Sequence, residues 1–94
     1  SLCGQEEISI EHFVKPPGHS SPEHNHPNVQ VLIVLEGQLE IKGESGTYLL
    51  DKGDTIYIPG NEMHVVTNPL DVTSVGIDIF VPGRSFDFWK NRLK

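Results

Sequence analysis

Three of the five histidines in this 94-residue chain sit where their side chains can cooperate. His24 and His26 are two apart, so on an extended strand both imidazoles project from one face. Gln30 has the same parity and joins that face if the chain runs unbroken through Pro27-Asn28. His64 opens a later strand, directly after the turn-forming Pro59-Gly60-Asn61-Glu62. Two imidazoles from one strand, a third from a facing strand and an amide oxygen make a chelate. Neutral imidazole suits Zn, Cu, Fe and Ni, and an amide oxygen suits the harder members of that set. Surface histidines beside a proline-rich loop are the alternative, and a His-x-His pair alone does not decide between them.

A second cluster lies near the end of the chain. The apolar run Thr73 to Val81 carries Asp78 between Ile77 and Ile79. A carboxylate in such a run is costly to bury unless it is paired or does chemistry. Asp78 and Phe80 share one face, and the two isoleucines share the other. Isoleucines packed outward would turn Asp78 and Phe80 to the interior, where the carboxylate could serve as general acid or base. An edge-strand Asp facing water, or one paired with Arg84 for structure, is the competing reading. His12 and His19 lack partner spacing and read as solvated. Glu62, two residues before His64, reads as a solvated turn residue, or as an acceptor that orients the imidazole.

The elements that must position these groups are short strands. Runs at Ile8–Val14, Val29–Leu35, Leu39–Lys42, Thr47–Leu50, Thr55–Ile58, His64–Thr67 and Thr73–Val81 are separated by Gly, Pro, Asn and Asp turns. With the extended stretch of His24 and His26, these seven runs make about eight strands at a spacing of roughly 8–12 residues, the signature of an all-β sandwich or barrel. Val29–Leu35 is apolar on both faces and is expected to be covered on both. After the strands, Ser85 could cap a short helix with Phe86, Trp89 and Leu93 on one side; an irregular segment is the alternative.

Size and charge bound the function. The chain reads as a single domain over residues 1–94, and a domain this small commonly needs a disulfide, a metal or a partner subunit. Its single cysteine, Cys3, excludes an intrachain disulfide. Seven basic against thirteen acidic residues give a net charge of −6, which argues against a nucleic-acid footprint. No apolar run approaches the ~20 residues that span a membrane. No signal-peptide pattern opens the chain, and a cytoplasmic location is expected.

The spacing grid resembles that of the cupin family. Gly18, His24, His26, Gln30 and Gly37 fall at the intervals of the first family motif, with Gln where Glu is usual. Gly53, Pro59, Asn61, His64 and Asn68 are similar to the second motif, with Asn61 replacing a glycine. The resemblance implies a jelly-roll β-barrel, one divalent transition metal (Ni, Mn, Fe or Zn) within residues 18–37 and 53–68, and often a homodimer. Cupins generally begin with another strand or two, so a thin wall is expected at the start of this chain, which strand exchange in a dimer could repair. Either Gln30 is the fourth ligand, or it bonds a strand neighbour while three histidines and waters hold the metal. As a ligand it leaves the ion's formal charge near +2, which favours anionic ligands and weakens support for high-valent iron.

The ending Asp78-Ile79-Phe80-Val81-Pro82-Gly83-Arg84-Ser85-Phe86-Asp87-Phe88 resembles that of the small pectin-degradation cupins of the KdgF type, an Asp-x-Phe-x-Pro-x-Arg pattern followed by an acidic-Phe pair. That resemblance implies opening of the ring of 4,5-unsaturated uronates to 5-keto-4-deoxyuronate. It assigns catalysis to Asp78 and Phe80 and substrate binding to Arg84, with an anionic sugar as the small-molecule partner. An isomerase-type enzyme is the first expectation. A metal-dependent dioxygenase and a non-catalytic sugar-binding module are the alternatives.

Overall fold

In the computed structural model, residues 2–83 are described. The strands are β1 (Cys3–Gly4), β2 (Ser9–Lys15), β3 (Val29–Glu36), β4 (Gln38–Gly43), β5 (Gly46–Asp51), β6 (Thr55–Ile58), β7 (His64–Thr67) and β8 (Ser74–Val81). They form two antiparallel sheets, one ordered β1-β2-β8-β3-β6 and the other β5-β4-β7. The all-β expectation holds, and no ladder joins the two sheets among the described residues. The helical or irregular ending from Ser85 onward, and Arg84 with it, lies outside the described residues. The wall at the start of the chain consists of the two-residue β1 on the edge of β2.

The period-two alternation of the strands builds the core. Leu32 and Val34 of β3 face Leu39 and Ile41 of β4, together with Leu50, Ile58 and Val66. The coverage expected on both faces of β3 is only partial: Gln30, Leu32 and Val34 are buried, the alternate residues are half-buried, and Leu35 is exposed. The chain then switches sheets at Gly37. Its φ of 78° is a left-handed conformation, and a Cβ there would collide with the hydroxyl of Ser74.

One feature corrects the sequence-based picture. His24 and His26 are not on a regular strand; they lie in the connection between β2 and β3, where His24 makes an isolated bridge to His64. Pro22 and Pro27 flank the pair and cannot donate to a ladder, which explains the interruption. The connection is nonetheless held against β7. Ser21 N–H donates to the Val66 carbonyl at 2.9 Å, and the His24 and His64 backbones exchange bonds of 3.2 and 3.0 Å.

Asn68 anchors this arrangement from within. It is fully buried. Its Nδ2 donates to the carbonyls of Lys15, Pro16 and Val72 at 2.8–3.1 Å, and its Oδ1 accepts from Leu70 N–H at 3.0 Å and the Ser74 hydroxyl at 3.1 Å. One amide thereby joins the end of β2, the β7–β8 connection and the start of β8. Buried acceptors stripped of their donors lose about 1–3 kcal/mol each. Asn68→Ala is therefore expected to lower unfolding stability by about 2–4 kcal/mol in urea titration. A loss under about 0.5 kcal/mol would contradict the anchoring role.

Candidate metal centre and adjoining cavity

His24, His26 and His64 converge although His64 lies 38 positions after His26. One ring nitrogen from each lies within 4.8 Å of the others, and the ring centroids are 4.3 to 5.8 Å apart. Every ring is aimed by a local backbone carbonyl. The Nδ1–H of His24 donates to Pro22 O at 2.7 Å, that of His26 to Asn28 O at 2.9 Å, and that of His64 to Glu62 O at 2.8 Å. With the Nδ1 proton committed, each neutral ring offers an Nε2 lone pair to the common centre. Glu62 thus orients His64 through its main chain, a contribution that side-chain types do not reveal.

Gln30 completes the set. It is 4% exposed. Its Nε2 donates to Asp78 Oδ1 at 2.8 Å, which turns its Oε1 toward His26 Nε2, 3.1 Å away. Both of those facing atoms are acceptors. They repel unless a cation lies beside them, and two ligands about 2.1 Å from one ion at right angles stand about 3 Å apart. His64 Nε2 is buried without a hydrogen-bond partner, which is a cost that a metal bond removes. The donor set of three imidazoles and an amide oxygen therefore fits a divalent transition metal.

Local backbone shape supports this convergence. Asn61 adopts φ 65°, a left-handed conformation that Asn tolerates better than most side chains, so it can stand at the position where the motif carries glycine. Its N–H donates to the His26 carbonyl at 2.6 Å. Asn28 Nδ2 donates to Pro82 O at 2.6 Å, tying the approach to β3 onto the end of β8.

Asp78 and Phe80 face the interior from β8. Phe80 is buried and its ring centroid is 5.5 Å from that of His26. Asp78 is half-buried, and the flanking Ile77 and Ile79 are partly covered on the opposite face. A cavity of about 310 Å³ is lined by Gln30, Asp78, Phe80 and His24, and also by Lys15 and His19. A separate cavity of about 430 Å³ opens between β4, β5 and β6; it touches His64 but none of the other three candidate ligands. The smaller cavity is thus the one that joins two of the candidate ligands, His24 and Gln30, to Asp78. His12 is exposed on the outer face of β2. His19 is exposed but lines the cavity, and Lys15, directly after the predicted strand Ile8–Val14, lines it as well.

Burial pushes the His64 imidazole below its ordinary 6.5; its bond to the Glu62 carbonyl opposes this, and the neighbouring His24 and His26 add to the lowering. The unfolded chain therefore binds a proton near pH 6.5 that the folded chain declines, and stability rises with pH across that window. For chelator-treated protein, the thermal midpoint is expected to fall between pH 7.5 and 5.5. His64→Gln, which removes the titrating ring, should flatten that slope; a slope unchanged in the variant would remove His64 as its source.

A family model described as "Cupin domain" matches residues 11–80. Among solved structures, an RmlC-like cupin from Shewanella frigidimarina is 26% identical with a TM-score of 0.78, covering 88% of this chain and 72% of that one. A Cupin 2 conserved barrel domain protein from Salinispora arenicola is 26% identical with a TM-score of 0.74, covering 92% and 72%. KdgF from Halomonas sp. is 25% identical with a TM-score of 0.80, covering 87% and 74%. No curated protein matches the chain.

Proposed function

The chain belongs to the cupin domain family, and from that premise we propose that it is a metal-dependent isomerase that opens the ring of 4,5-unsaturated uronates to 5-keto-4-deoxyuronate. The observation that carries this reading is the 2.8 Å bond from Gln30 Nε2 to Asp78 Oδ1. It couples the candidate ligand set to a carboxylate on the wall of a cavity that also exposes His24. The likeness to the KdgF structure adds support.

A divalent ion held by His24, His26, Gln30 and His64 would supply Lewis acidity and attraction for anionic oxygen, its charge undiminished by the neutral donors. The remaining work falls to the chain itself. The substrate class is a cyclic hemiacetal whose ring oxygen is part of an enol ether beside a carboxylate. Ring opening removes a proton from the anomeric hydroxyl and breaks the bond from the anomeric carbon to the ring oxygen. A proton then adds to the alkene carbon remote from the carboxylate, and the enol becomes a ketone. The number of atoms and the oxidation level are unchanged, so no oxidant is consumed. Asp78 is the group that moves the proton. The Gln30 amide, by donating to one carboxylate oxygen, holds Asp78 in place. Phe80, stacked edge-on near His26, shapes the apolar side of the pocket. A homodimer acting on a small anionic sugar is part of the same proposal.

With metal-loaded protein, the ultraviolet absorbance of the conjugated double bond in an unsaturated galacturonate is expected to decay, without oxygen uptake. Asp78→Asn should lower kcat by about 10²–10⁴-fold at unchanged metal content. Steady absorbance with fully loaded wild-type protein rejects the reading, whereas oxygen consumption would point to the dioxygenase alternative. Gln30→Glu separates ligation from positioning. It keeps an oxygen donor for the metal but removes the N–H donated to Asp78 and sets two carboxylates side by side. Retained metal with turnover lowered more than tenfold is the expected result; wild-type turnover would show that the amide bond to Asp78 is dispensable.

A further inference from the structure

Lys15 is a half-buried lysine at the end of β2, and it lines the cavity that holds Gln30, Asp78 and His24. Its parity matches that of the more buried residues of the strand. Ser9, Glu11, Phe13 and Lys15 alternate with the exposed His12 and Val14, and β2 pairs with β8 so that Lys15 stands opposite Ser74 on the interior face. The backbone there is fixed, because the Lys15 carbonyl accepts from the buried Asn68 amide at 3.0 Å. Among the described residues, Lys15 is the one Lys or Arg that lines this cavity.

We propose that Lys15 is the specificity-determining residue of the pocket, receiving the carboxylate of a sugar acid and rejecting the corresponding neutral sugar. This rests on the reading of the pocket as a uronate site and extends it. Both charged groups line the cavity, Asp78 from β8 and Lys15 from the end of β2. A substrate with a hemiacetal at one end and a carboxylate at the other matches that pair. Partial burial disfavours the charge on Lys15, and attraction to Asp78 offsets this in part. A cation already stripped of some water, on a rigid strand, gives more to an incoming anion than a free surface lysine does. Arg84, assigned to substrate binding from the family resemblance, lies outside the described residues, and Lys15 carries the assignment on its own geometry.

The test compares two probes that differ only in charge, galacturonate and its methyl ester, by calorimetric titration of zinc-loaded protein. Wild type is expected to bind the acid roughly tenfold to a hundredfold more tightly than the ester, the range of one charge-assisted hydrogen bond. Lys15→Met, which keeps the apolar stem, should erase that preference while leaving ester affinity within about twofold. Lys15→Arg should restore most of it. The wild-type preference should also shrink between low and high salt, a readout that needs no variant. An unaltered preference in a folded, zinc-loaded Lys15→Met protein overturns the proposal, as does wild type that binds both probes equally. Because binding is read without turnover, a protein that prefers the acid through Lys15 but leaves unsaturated uronates intact upholds the subsite and rejects the isomerase reading. Ring opening with no role for Lys15 in KM or in probe preference does the reverse.

Discussion

The site depends on the orientation of one amide. Gln30 has a donor end and an acceptor end, and the Asp78 carboxylate takes the donor. The acceptor end is thereby forced toward His26 Nε2, a lone pair facing a lone pair. A glutamate at this position could not donate to Asp78 in its ionised form, and its negative charge would oppose the neighbouring carboxylate. The glutamine therefore sets three things together: the neutrality of the candidate ligand set, the placement of Asp78, and the side of the pocket on which negative charge resides. Three main-chain carbonyls do comparable work for the imidazoles by fixing which ring nitrogen carries the proton.

The scaffold makes these local choices possible. Strand β8 runs between β2 and β3, so Asp78 lies opposite Glu11 on one side and Leu32 on the other, while Phe80 lies opposite Ser9 and Gln30. A shift of register by one residue would send every one of these side chains to the other face. Asn68 and Ser74 lock the far end of the same strands, so the polar interior has two satisfied regions, one structural and one that opens to a cavity.

Much of this was legible in the chain itself. Period-two alternation marked most strands to within a residue or two, because buried and exposed positions differ strongly in hydrophobicity. The parity of Asp78 and Phe80 was readable for the same reason. Other features left weaker traces. The placement of His24 and His26 off a regular strand follows from two prolines whose effect depends on what the neighbouring backbone does. The carbonyls of Pro22, Asn28 and Glu62 are main-chain atoms that any residue could supply, so no side-chain pattern announces them. Lys15 was hidden by its position beside Pro16-Pro17: a charged residue before two prolines looks like the end of a strand, yet its parity continues that of Phe13. The left-handed φ of Asn61 was foreshadowed only by its standing in for a glycine.

The bridge between His24 and His64 has a further consequence. These residues lie far apart in the chain yet meet at an isolated bridge of two backbone bonds, outside any regular ladder. A cation gripped by both would close a covalent-like ring through forty or so residues, restricting the denatured coil much as a cystine does. A polypeptide with a lone sulfhydryl has no such fastening of its own. Coordination would provide one that acid or a chelator can undo, making persistence of the fold answerable to the supply of ions around it.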